Sequence, residues 1–287
     1  MSGTLYLCAT PIGNLDDMTF RAISTLKEVD LIAAEDTRNS IKLLNHFDIH
    51  TPMTSYHDHN RFEKAEELVA KLLAGMNIAV ITDAGMPGIS DPGEELCRMA
   101  HEAGITVTVI PGACAAVSAL SVSGQPSRYF AFEGFLPRVP KERKERLAEI
   151  ADEKRTLIIY EAPHRIRRTL PELVAILGEN REISICRELT KKHEEVMRLT
   201  LGEAAAYYEE NEPKGEFVLI IRGKSEEESA LEVRDKFKDM SLREHVEYYI
   251  AAGHDKKEAM KLAAADLGIS KRDVYNALVA EDNDGKK

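Results

Sequence analysis

The sequence lacks any run approaching the ~20 apolar residues of a membrane-spanning helix, and its first residues have neither a basic segment nor a long apolar core. A membrane protein is excluded, and no signal peptide is expected. Cysteine is scarce: Cys8, Cys97, Cys114 and Cys186 are scattered, without metal-ligand spacing or a disulfide framework. A reduced, cytoplasmic protein with buried thiols follows. Two histidines and an aspartate meet at 57–59, but no distant ligand completes a zinc set, and no metal is expected. Positive charge is also short. The net charge of −11 argues against broad non-specific affinity for nucleic acid. Two nucleotide signatures are missing as well, the Rossmann G-x-G-x-x-G and the P-loop with its Gly-Lys-Ser/Thr.

What is present is organised around residues 78–118. Ile78-Ala79-Val80-Ile81-Thr82 is a short apolar run of the kind buried on both faces of a parallel sheet. Residues 83–93 then form an eleven-residue loop with three glycines and two prolines, followed by a helix from about Pro92 to Ala103 that Gly104 stops. A second buried strand is expected over 105–110, ending in Pro111-Gly112, with a helix of small residues from Ala113. Such a βαβ unit places glycine-rich turns beyond the carboxyl ends of two strands, where open α/β sheets bind ligands. Glycine lets backbone approach a flat ligand, and proline limits the entropy lost on binding. The loop offers the carboxylates of Asp83 and Asp91 but no lysine, which suits a ligand bearing amino and sulfonium groups better than a polyphosphate.

The 287 residues, 44% hydrophobic and 30% charged, suffice for two core-bearing α/β domains and an appendage. Strands are expected at 5–9, 29–34, near 53–56, at 129–133, 156–160, 182–187, around 196–199 and at 216–221, with helices between them. The boundaries fall at 1–121 for the N-terminal α/β domain, 122–224 for the C-terminal α/β domain and 225–287 for a connector helix and tail. Residues 121–128 serve as the linker. Helices at 242–251, 256–265 and 271–280 make the tail a small all-α domain that resembles a helix-turn-helix, although its composition is not basic. Charge is uneven. Residues 1–133 hold 9 basic and 17 acidic residues, whereas 134–168 hold 10 basic and 6 acidic. Within the second segment Arg138, Lys141, Arg143, Lys144 and Arg146 lie on a loop and the helix it enters, with Arg165 close to the next strand end. These residues are candidates for RNA phosphates; a solvated helix face paired with glutamates is the alternative.

The motifs together resemble a known family. They are residues 9–15 (ATPIGNL), 34–38 (AEDTR), 57–60 (HDHN), 83–93 (DAGMPGISDPG), 111–113 (PGA), 133–137 (EGFLP), 160–165 (YEAPHR), 187–191 (RELTK) and 214–216 (KGE). Their order and number resemble the ribosomal RNA small subunit methyltransferase I family, within the tetrapyrrole methylase superfamily, from about residue 4 to 223. The resemblance implies two α/β domains with a cleft between them for S-adenosylmethionine, and a homodimer. It implies 2′-O-methylation of a decoding-region cytidine in 16S rRNA, on free RNA or the small ribosomal subunit. Carried over by position, the cofactor-binding residues are Pro11, Ile12, Gly13, Asp83, Ala84, Gly85, Met86, Ile89, Ser90, Gly112, Ala113, Cys114, Ala115, Tyr160 and Gly215. Met86 stands where the family's loop more often has threonine.

A ribose hydroxyl is a weak acid, and a group that accepts or polarises its proton assists transfer. Glu161, His164, Glu188 and Lys191 are the candidates, with Asp36 also on a loop of the expected cleft; the sequence does not rank them. Two other functions remain in view at this level. One is methylation of a small tetrapyrrole-like molecule, and the other is a non-catalytic S-adenosylmethionine- or nucleic-acid-binding module. The basic segment and helical tail favour RNA over a single macrocycle.

Overall fold

The computed structural model describes residues 1–58 and 60–284, with the backbone alone at 229–234 and 281–284; His59 of the 57–60 motif lies outside the described residues. Strands β1 (Thr4–Cys8), β2 (Leu31–Ala34), β3 (Met53–Ser55), β4 (Ile78–Ile81) and β5 (Thr106–Ile110) form a parallel sheet of order β3-β2-β4-β1-β5. Every residue of β2 and β4 is buried, as continuous apolar runs between two helix layers require. Helix α1 (Phe20–Glu28) places Ala22 and Leu26 in the core of one face, with Leu44 of α2 (Thr37–His46). Helices α3 (Arg61–Leu73) and α4 (Glu94–Glu102) cover the other face through Leu68, Leu72, Leu96 and Ala100. The chain therefore leaves the neighbouring strands β1 and β4 over opposite faces, which opens a crevice at their carboxyl ends. Strand β5 departs from the buried strand expected over 105–110. It is the sheet edge, pairs only with β1, and leaves Val109 48% exposed.

The second sheet is mixed. Strands β6 (Phe130–Phe135), β7 (Thr156–Glu161), β8 (Glu182–Arg187), β9 (Glu195–Thr200) and β10 (Phe217–Ile221) take the order β6-β7-β10-β8-β9. Side chains alternate between two cores, as the pleat dictates. Leu157, Ile159, Leu219 and Ile221 pack beneath α6 (Pro140–Glu149), α7 (Pro163–Leu177) and α8 (Leu201–Glu210), whereas Ile158, Val218 and Ile220 meet Ala116, Ala119 and Leu120 of α5 (Ala115–Ser123). Helix α5 follows the first sheet in sequence yet packs on the second. Residues 121–123, expected in a linker, are its last turn, and the chain leaves the helix at Gly124 with φ of 71°. Strand β10 is antiparallel to both β7 and β8, so Phe217 sits opposite Glu161 and Arg187. One start and two ends of strands thereby converge at one edge.

Residues 1–223 form one compact unit and 224–287 another. In the second, α10 (Leu242–Ala251), α11 (Lys256–Leu267) and α12 (Lys271–Asp284) close around Val246, Met260, Ala263, Val274 and Leu278, after α9 (Glu226–Phe237). Gly268, at φ 65°, turns the chain between the last two helices.

Helix α6 corrects one expectation. Arg143 and Leu147 are four residues apart and form its buried face; Arg143 is only 2% exposed and does not reach solvent phosphates. Its guanidinium donates to Glu172 Oε2 at 2.6 Å and to Thr169 Oγ1 at 2.7 Å. Arg143→Ala removes both bonds, although Glu172 keeps Arg168 at 2.9 Å, and losing hydrogen bonds to a charged group costs about 1.5–3 kcal/mol. The unfolding free energy from urea titration is therefore expected to fall by that order, and an unchanged value would contradict the buried pairing.

Candidate functional site

The carboxyl ends of β1 and β4 are joined by a pair of backbone bonds: Thr10 N–H donates to Gly85 O at 2.9 Å, and Gly85 N–H donates to Thr10 O at 3.1 Å. Thr10 Oγ1 adds a bond to Thr82 O at 3.1 Å. Gly85 has φ of 87°, and a Cβ there would lie 3.3 Å from Ile12 Cγ2. The loop of 82–93 then folds on itself, since a Cβ on Gly93 would come 2.9 Å from Gly88 N. Its Ser90, at φ 62°, presses Oγ against the Gly134 backbone in the bulge of β6. Both sheets thus bear on one loop.

Between them lies a cavity of about 410 Å³, within the range of small-molecule sites. Of the cofactor-binding residues expected from sequence, Ile12, Asp83, Ala84, Gly85, Met86, Ile89, Ser90, Cys114, Ala115 and Tyr160 line it. Pro11, Gly13, Gly112, Ala113 and Gly215 do not. Three of these are glycines that make room for protein instead. A Cβ on Gly13 would strike the Lys191 stem at 2.5 Å, one on Gly112 would meet Ala9 Cβ at 2.8 Å, and one on Gly215 would overlap the Glu188 side chain. Asp91, whose carboxylate the sequence offers to the ligand with that of Asp83, also lines the cavity, whereas sequence reasoning missed Glu35, Thr82, Phe135, Cys186, Leu189, Phe217 and Val218 as wall residues. The inward alternation of β8 and β10 carried that signal for Cys186 and Val218.

The lining is one-signed. Glu35, Asp83, Asp91, Glu161 and Glu216 face the cavity, and no lysine or arginine does so among the described residues. Glu35 Oε2 accepts from Thr82 Oγ1 at 2.5 Å and from Asp83 N–H at 3.2 Å, while Asp83 accepts from Asn39 Nδ2 at 3.0 Å. Burial first, and then the Glu35 carboxylate, push Asp91 up to about 7. Such a site suits a cation and repels a polyphosphate. The apolar remainder, with Ile12, Leu189, Phe217 and Val218, suits a flat ring. Tyr160 holds the far wall: its hydroxyl accepts from Ala116 N–H at 2.9 Å, its ring meets Phe132 and Phe135 edge-on, and burial raises its phenol.

The candidate acid–base residues separate. Glu161, expected on a loop, is the last residue of β7. Its carboxylate is fully occupied by Thr169 Oγ1 at 2.5 Å, Ala162 N–H at 3.0 Å and Arg165 Nε at 3.2 Å. Arg165 in turn donates to Leu136 O at 2.6 Å, so its guanidinium braces the cavity wall rather than a phosphate. His164 is exposed and outside the lining. Lys191 Nζ bridges Glu188 Oε1 at 3.0 Å and Glu216 Oε2 at 2.7 Å. Although burial opposes it, those bonds hold the Lys191 ammonium above its usual range, which removes it as a base at neutral pH. Glu188, against the opposing pull of burial, is held below the usual range by the Glu216 amide and Lys191, and stays ionised. Asp36 caps α2 and pairs with Arg38 at 2.7 Å. Arg138 and Lys141 are exposed, whereas Arg146 is tied to Glu133 and Glu149 at 2.6 Å each.

Asp91 gives the site a pH signature. In the folded state its carboxyl keeps a proton that the unfolded chain has lost, so its contribution to stability falls as pH rises from roughly 4 towards 7. A bound cation prefers the ionised form. Affinity for S-adenosylmethionine is therefore expected to rise between about pH 6 and about pH 8, and Asp91→Asn to flatten that rise in calorimetric titrations. The same profile in wild type and variant would remove Asp91 from the site.

Comparison with known proteins agrees with this geometry. The family model for tetrapyrrole (corrin/porphyrin) methylases matches residues 4–205. The ribosomal RNA small subunit methyltransferase I of Halalkalibacterium halodurans is 55% identical over 274 residues, covering 96% of this chain and 94% of that protein. The protein of the same name from Synechocystis is 49% identical over 99% of this chain and all of its own length. Among solved structures, uroporphyrin-III-C-methyltransferase from Thermus thermophilus shares the fold at a TM-score of 0.53 and 19% identity, over 76% of this chain and 94% of that one. The loop-lined crevice and the match over nearly the whole chain have one origin: the chain belongs to the tetrapyrrole methylase family, and within it to the family of ribosomal RNA small subunit methyltransferase I.

Proposed function

We propose that the protein transfers a methyl group from S-adenosylmethionine to the ribose 2′-hydroxyl of a decoding-region cytidine in 16S rRNA, in the cytoplasm. The reading is carried by the cavity: five acidic residues and, among the described residues, no lysine or arginine line it, while exposed basic residues stand on α6 and the loop before it. The small-subunit ribosomal RNA in the relatives' name is the matching acceptor. When bound, S-adenosylmethionine supplies an electrophilic methyl group on a sulfonium. The chain's own residues do the rest. Glu35, Asp83 and Asp91 draw positive charge inward, and Ile12, Leu189, Phe217 and Val218 exclude water, which favours an in-line displacement by positioning and desolvation. Asp91, titrating near 7, is matched to accept the hydroxyl proton. Lys191 remains a fixed cation beside the Gly13 turn.

The functional assembly is proposed to be a homodimer. Strand β5 leaves one backbone edge unpaired, and Val109, Val117 and Val122 are exposed on and near it in sequence. Sedimentation equilibrium is expected to return twice the 32.0 kDa of the chain; a monomer at micromolar concentration would end that reading.

The RNA surface is assigned to Arg138, Lys141 and Lys144, which are exposed, with Arg143 withdrawn. Replacing these three by glutamate is expected to cut tritiated-methyl transfer to unmethylated small subunits and to reduce the log–log salt slope by roughly 0.7 per lost contact to single-stranded RNA. Affinity for S-adenosylmethionine should stay unchanged. Full activity in the triple variant would favour a small-molecule acceptor, and nucleoside mapping of the wild-type product identifies the position.

A further inference from the structure

Strand β6 breaks its own alternation as it reaches the cofactor cavity. Phe132 is opposite Ile158, but the next paired residue is Gly134, opposite Ile159, so Glu133 is an extra residue in the strand. Such a bulge moves every side chain after it to the other face. Without it Phe135 would point to the core beneath α6 and α7. With it Phe135 lies opposite Tyr160, on the same face as Phe132. The bulge is held from two sides, for Glu133 is tied to Arg146 of α6 at 2.6 Å and Ser90 Oγ presses on the positive-φ backbone of Gly134. The ring it re-aims is poorly covered. Leu189, Phe217 and Val218 of the cavity's apolar wall are buried, whereas Phe135 lines the same cavity and is 53% exposed. It therefore stands at the mouth. Its contact with Tyr160 is edge-to-face, with ring centres 5.6 Å apart, so at most one face of the ring is taken. The chain beyond is braced as well. Leu136 is buried and its carbonyl accepts from Arg165, and Arg138 and Lys141 follow, both exposed.

We propose that Phe135 is the platform on which the base of the target nucleotide stacks. The inference rests on the function proposed above. In a nucleotide, the carbon carrying the 2′-hydroxyl is bonded to the carbon carrying the base, so a hydroxyl presented to the methyl donor leaves its base beside the cavity mouth. Phe135 is the aromatic side chain of the lining that stands there half-exposed. An exposed aromatic ring is the means by which proteins hold bases of single-stranded RNA, and every base offers it a flat face. A ring already fixed against Tyr160 loses little freedom when a base lands on it. Arg138 and Lys141 lie just beyond Phe135 in the chain, where the phosphates flanking the stacked nucleotide meet cations. The acidic interior repels those phosphates and keeps the RNA backbone outside, so the ribose edge alone is brought to the cofactor.

The test uses the full-length protein and small subunits lacking the modification. Phe135→Ala removes the ring, Phe135→Leu keeps apolar bulk without a flat face, and Phe135→Tyr keeps the face; thermal melts verify that all three fold. Phe135→Ala and Phe135→Leu are expected to lower kcat/KM for the subunit by roughly five- to a hundred-fold, the scale of one lost base stack, while Phe135→Tyr retains it. Calorimetric titration with S-adenosylmethionine should match wild type in all three. If wild type methylates the subunit and Phe135→Leu does so equally well, no base stacks on the ring; the platform is wrong and the function stands. S-adenosylmethionine binding that weakens in step with turnover would also overturn it, by making Phe135 a contact of the cofactor. If wild type transfers no methyl to any RNA, the function falls and the platform with it.

Discussion

The site depends on two backbone hydrogen bonds between Thr10 and Gly85. They join loops that leave neighbouring strands over opposite faces of the first sheet, and nothing in the regular ladder of β1 and β4 reaches that far. With the bridge in place, Ile12 is laid against the positive-φ backbone of Gly85, and the rest of the 82–93 loop can fold back on Gly88 and Gly93. A side chain at position 85 would face strain from the backbone as well as Ile12. Because the contact is made by backbone, the loop can vary its side chains while keeping its path. Met86 occupies such a place, lining the cavity.

The second sheet contributes through its antiparallel strand. In a fully parallel sheet, β10 would begin at the edge opposite to the ends of β7 and β8. Reversed, it brings Phe217 beside Glu161 and Arg187, and its preceding turn brings Glu216 to Lys191. Gly13 from the first sheet receives the Lys191 stem. The cavity is thus bounded by residues of both sheets.

Much of this was legible beforehand. Element types followed from continuous apolar runs such as 78–81 and 157–160, and from glycine and proline at strand ends. The cofactor residues at 83–90 and 114–115 were carried over from the family resemblance, in agreement with their place just beyond two strand ends. Other features were not readable in that way. Gly13, Gly112 and Gly215 carry the same turn signal whether they make room for a ligand or for Lys191, Ala9 and Glu188. Strand β5 was read as buried from its apolar content, although its Thr-Val-Thr-Val alternation fits an edge. Arg143 was read by residue type alone. Its phase with Leu147 placed it inside, and charge overrode periodicity in that reading. The one-signed cavity was legible only in part, since Glu35 enters from a strand far from the glycine-rich stretch.

The polar chain running from Glu172 through Arg143 and Thr169 to Glu161 and Arg165 ties the inner face of α6 to the cavity wall. One helix therefore has two independent faces. The inner one is held to the catalytic frame, and the outer one bears Lys141 and Lys144, with Arg146 between them tied to Glu133 of β6. Exchange of the outer residues can redirect what docks without moving the wall by an ångström. A scaffold wired in this manner can change clientele by surface drift alone, and offers a protein engineer a handle that leaves the reaction chamber intact.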